Sequence, residues 1–126
     1  MDAFETTVAR SFADTERTVR AALADEGFGV LTEIDVAATL KAKLDIERAP
    51  LVILGACNPS FANRALDIDP TVALVLPCNV TLESTDAGTR VRAVDPRALM
   101  DDPRFVELAE EVAERLRAAL ARVSAS

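Results

Sequence analysis

The chain has 126 residues, half of them apolar, with 21 acidic against 14 basic side chains and a net charge of −7. This predicts a single domain over 1–126 that can bury a core without staples, and it argues against nucleic acid and anionic membrane as partners. Histidine, tryptophan and tyrosine are absent, which removes histidine general bases, Cys-His and Ser-His catalysis, and every imidazole-ligated metal site.

Met1–Glu5 lacks the basic and apolar regions of a signal peptide. No apolar run approaches a membrane span. A cytoplasmic location is therefore expected, where two cysteines are more often thiols than a disulfide.

Phe4–Arg10 reads as a strand from its aromatic and β-branched content. Ser11 is placed to cap a helix over Phe12–Glu26, with Phe12, Val19 and Leu23 on one face and Gly27 ending it. Phe28–Ile34 is a second strand, in which Glu33 shares a face with Leu31. A short helix follows from Asp35, with Val36, Leu40 and Leu44 along one side and Lys41 and Lys43 off it. Leu51–Ala56 is apolar on both faces and reads as a central strand. Asn58 and Pro59 suit the cap and first position of the next helix. Thr71–Leu76 reads as another doubly buried strand, closed by Pro77. Asn79–Glu83 and Thr89–Val94 alternate in period two around Asp86-Ala87-Gly88, with Glu83 across from Arg90 or Arg92. Asp102-Pro103 opens the last helix, whose stripe is Phe105, Leu108, Ala109, Val112, Leu116, Ala119, Leu120 and Val123. Glu111 and Arg115 have the spacing of an i, i+4 pair.

Strands alternating with helices predict an α+β or α/β domain. Both central runs lead into a Cys-Asn pair, Cys57-Asn58 and Cys78-Asn79, which hold the only cysteines. Parallel neighbouring runs would bring both cysteines to the carboxyl end of the sheet, where open α/β sheets bind ligands. Antiparallel runs would separate them. Cys57 precedes a helix start, whose N–H groups and dipole favour a thiolate or a bound anion.

The candidate ligand-binding residues are Cys57, Asn58, Cys78, Glu33 and Lys43. Glu33 is the odd acid in an apolar strand; its bland reading is a strand-end carboxylate facing water or paired with Lys43. Two thiolates could hold a soft metal such as Cu(I) or Zn, with Glu33 as an oxygen ligand, but the spacing matches no short zinc motif, so no metal site is assigned. Catalytic residues and a cofactor are not assigned either, and enzyme activity stays open. Three readings follow: a small ligand- or metal-binding domain around these residues, a thiol-redox or sulfur-transfer protein using Cys57, and a structural dimer or partner-binding module.

The blocks Gly27–Asp35, Leu54-Gly55-Ala56-Cys57-Asn58-Pro59, Leu76-Pro77-Cys78-Asn79-Val80 and Asp95-Pro96 resemble the prokaryotic family catalogued as domain of unknown function 302. The similarity runs from about Phe4 to Leu120. The resemblance implies a compact α+β domain with a mixed or mainly antiparallel sheet of about five to six strands, helices packed on it, a long C-terminal helix and homodimers. It implies no activity.

Overall fold

The structure, a computed structural model, describes residues 1–126. Five strands, β1 (Ala3–Val8), β2 (Gly29–Asp35), β3 (Leu51–Cys57), β4 (Cys78–Thr85) and β5 (Gly88–Val94), form one sheet in the order β1-β5-β4-β3-β2. Every neighbouring pair is antiparallel. Five helices accompany them: α1 (Phe12–Asp25), α2 (Val36–Leu44), α3 (Pro59–Ile68), the short α4 (Pro96–Leu99) and α5 (Val106–Ala125). The fold is α+β.

Local chemistry sets the helix ends. Ser11 Oγ accepts from the Asp14 N–H at 3.1 Å and opens α1. Gly27 follows with φ +87°, a left-handed conformation that suits glycine. Asp35 accepts from the Ala38 N–H at 2.9 Å and opens α2. Asn58 and Pro59 open α3 as cap and first residue.

Alternation divides the sheet into two faces. Val52, Leu54 and Ala56 of β3, Cys78, Val80 and Leu82 of β4, and Val91 and Ala93 of β5 point to one side and are buried. α1 and α5 pack on that side and on each other. The expected stripe of the last helix is buried from Phe105 to Val123, although a 3-10 turn at Pro103–Phe105 precedes α5. Each fully buried leucine or valine here contributes on the order of 1.5–3 kcal/mol.

The second face carries Glu5, Asn79, Thr81, Glu83, Arg90, Arg92, Ile53, Thr32 and Ile34, none of them buried. Arg90 and Arg92 lie between Glu5 and Glu83 at 3.1–3.4 Å, as the cross-strand spacing of Glu83 leads one to expect. Gly55 sits on this face too, where an added Cβ would press on Thr32 Oγ1 and on Pro77 Cγ.

Two expectations are corrected. Thr71–Leu76 is not a strand: Pro70–Val75 is a 3-10 helix. Asp69 caps it by accepting from the Thr71 N–H at 2.9 Å, and Leu74 is 87% exposed, so the run is not doubly buried. Glu111 does not pair with Arg115. It binds Arg64 of α3 at 2.6 Å, while Arg115 turns to Glu26. Tertiary partners displace the weak helical pair.

Candidate functional site

β3 ends at Cys57 and β4 begins at Cys78, and the two strands are antiparallel neighbours with Ala56 opposite Cys78. The cysteines therefore meet at one end of the sheet. The parallel arrangement considered from sequence does not occur, yet its consequence holds. An antiparallel partner that begins at its cysteine puts that cysteine beside the end of the preceding strand. The misread 3-10 segment hid this, because it placed Cys78 after a strand instead of at the head of one.

A pocket lies there, between the sheet end, α3 and α5. Cys57, Asn58, Cys78, Phe28, Phe61, Met100 and Leu108 contribute to its walls. It encloses about 350 Å³ of empty space, part of it open to solvent, with a water-sized interior of about 20 Å³. Apart from Asn58 the walls are apolar or sulfur-bearing. A wider depression of about 1060 Å³ lies on the open sheet face among Glu5, Asn79, Thr81 and Arg92. Its arginine is already neutralised by Glu5 and Glu83, so it offers no unsatisfied charge. The smaller pocket is the one that both cysteine residues border.

Cys78 is buried, and desolvation pushes its thiol up to about 11, with a neighbouring Cys57 charge adding to the rise. At neutral pH it is a protonated thiol, a poor nucleophile until a soft electrophile or metal displaces the proton. Cys57 is half-buried and, like Cys78, free of a disulfide. Asn58 is committed to the scaffold. Its Oδ1 accepts from the Phe61 N–H at 3.5 Å and its Nδ2 donates to the Glu26 carbonyl at 3.4 Å. It ties α3 to the end of α1 beside the pocket.

Glu33 is not at the pocket. Its carboxylate is half-exposed and pairs with Arg20 of α1 at 3.1 Å, instead of with Lys43. Lys43 is exposed on α2 and makes no ion pair. The structure thus brings together Cys57, Asn58 and Cys78, and leaves Glu33 and Lys43 apart from them. Sequence reasoning missed Met100, which comes from the loop after α4. The available signal was that it is the only methionine besides Met1. No group of three or more cysteine, aspartate and glutamate side chains converges anywhere in the chain, and no helix is long and apolar enough to cross a membrane.

The family model described as "Domain of unknown function DUF302" matches residues 4–123. A crystal structure of an uncharacterized conserved protein DUF302 from Bacillus stearothermophilus is similar over 98% of both chains, with 31% sequence identity and a TM-score of 0.89. No curated protein matches the chain.

Proposed function

The chain belongs to the DUF302 family, and we propose that it is a small ligand-binding domain whose site is the thiol-lined pocket where β3 passes into α3. One observation carries the reading: both cysteines of the chain line a single small apolar pocket. Pockets with apolar walls and a few convergent polar or reactive atoms are the common form of small-ligand sites. No carboxylate or cation lines this one, so a charged metabolite would enter at a high desolvation cost. A soft or apolar occupant that contacts sulfur fits better. The free thiols suit a reducing compartment such as the cytoplasm. Glu33 and Lys43 stay outside the pocket as surface charges in this reading.

The test is to purify the protein without chelators and to measure native mass, bound metal and free thiols on one sample. The reading expects added mass and two thiols that become titratable only after the occupant is stripped. A bare-chain mass with both thiols open from the start would contradict it. Ala62→Leu, which narrows the pocket, should reduce occupancy without unfolding the chain.

The open sheet face supports a second reading, a homodimer. Its four charges, Glu5, Glu83, Arg90 and Arg92, sum to zero, whereas the chain carries −7. Two copies repel least through this face. Ile34 is exposed there beside Ile53, which gives a two-fold contact an apolar strip. Sedimentation velocity should find a dimer that Ile53→Asp splits into monomers. A monomer at high protein concentration would exclude it.

A further inference from the structure

We infer that the chain carries a head-to-tail self-association surface, in which the Lys43–Arg48 segment of one copy docks in the groove between the 3-10 helix Pro70–Val75 and α4 of the next. The inference goes beyond both readings above, since it uses neither the thiol pocket nor the open sheet face.

The groove has about 590 Å³ of empty space, part of it open to solvent. Val72 and Phe105, both buried, line it together with Leu74, which is 87% exposed, and the exposed Leu99. Asp69, Asp101 and Asp102 border it. Arg104 pairs with Asp69 and Asp102 at 3.0 Å, and Asp101 is exposed and makes no ion pair. Three carboxylates against one guanidinium leave the rim negative. Exposed apolar side chains rimmed by charge mark an interaction site. The partner that complements this one is an apolar segment with positive charge beside it.

The chain itself supplies such a segment. Leu44, the last residue of α2, is 61% exposed, and Ile46 just beyond it is exposed as well. Lys43 and Arg48 flank them; both are exposed and neither makes an ion pair. Lys41 holds Asp45 and Glu47 at 2.6 and 2.7 Å. The two acids of the segment are thus answered locally, and its two outer cations stay available. Lys41–Arg48 is a locally positive stretch in a chain whose net charge is −7.

Topology separates the two surfaces within one copy. The segment leads into Leu51, where β3 begins. The 3-10 helix leads into Cys78, opposite Ala56 near the far end of β3, and α4 follows Val94 at that same end. The seven residues of β3 hold these ends roughly 20 Å apart. Contact between segment and groove therefore joins two copies. It is heterologous, because unlike surfaces meet, and it repeats into rings or open chains.

The test uses the full-length chain with Ile53→Asp as parent, so that the sheet-face contact plays no part. Sedimentation velocity at rising concentration should find association in the parent. Leu74→Asp spoils the groove and Ile46→Asp spoils the segment, both at exposed positions, and each should weaken association by ~10-fold or more. Mixed in equal amounts, the two variants should form a one-to-one dimer and grow no further. The intact segment of one enters the intact groove of the other, and the remaining ends are both spoiled. Native mass spectrometry with one variant isotopically heavy identifies the mixed pair. A monomeric parent, unchanged association in folded Leu74→Asp, or a mixture that stays monomeric or grows past the dimer would overturn the inference. A monomeric parent that binds a cationic, leucine-bearing peptide would give the groove to a foreign partner and overturn self-docking too. None of these outcomes bears on the thiol pocket.

Discussion

Burial of Cys78 makes stability fall in alkaline solution. The thiol titrates near 9.0 when solvated and near 11 in the fold, chiefly because the apolar pocket penalises the thiolate and secondarily because of Cys57. Between these values the unfolded chain has lost the proton and the folded chain retains it. Stability is then fully present below about pH 9 and declines at up to about 1.4 kcal/mol per pH unit, reaching a loss of about 2 kcal/mol at pH 11. The assay is urea unfolding under reductant at steps from pH 8 to pH 11. Lys41 also has a raised pKa, through Asp45 and Glu47, and contributes a decline in the upper part of the same range. The informative quantity is therefore the difference between wild type and Cys78→Ala. Wild type should lose about 2 kcal/mol more than the variant across that range. Parallel profiles would refute the burial of this thiol.

Other expected outcomes follow from single contacts. Gly55→Ala would put a methyl 2.7 Å from Pro77 Cγ and against Thr32 Oγ1; the proline ring cannot yield, so urea midpoints should report a loss of about 1–3 kcal/mol, part of it recovered in combination with Thr32→Ala. Asn58→Ala removes the α3 cap and the tie to Glu26; both bonds are long, so calorimetry should find a loss near the low end of about 0.5–2 kcal/mol. Leu116→Ala empties a fully buried site on α5 and should cost about 2–5 kcal/mol in the same measurement.

The elements legible in the sequence are those written in local chemistry. Ser11, Asp35 and Asn58 each cap the helix that their side chains suit, and the stripe from Phe105 to Val123 is the buried face of α5 and the turn before it. The segment after α3 misleads because a short apolar run does not reveal its own period. Its start signal, Asp69 as cap before Pro70, was present but outweighed by Val72, Leu74, Val75 and Leu76. That error carried through to the site. With Cys78 at the head of β4, antiparallel pairing brings the cysteines together. Pairing of Glu33 with Arg20 joins α1 to β2, and Met100 reaches the pocket from a loop. Neither follows from spacing, because both depend on how separate elements pack.

Joint occupancy of the pocket that Cys57 and Cys78 border can be read out by differential alkylation. Protein taken straight from cells and the same protein after stripping are labelled with light and heavy iodoacetamide and read by mass spectrometry at each cysteine. Both cysteines should be protected together before stripping and gain label together afterwards, with Cys57, the more exposed of the two, labelling faster. Equal labelling of Cys57 before and after stripping, or protection of one cysteine independent of the other, would contradict it.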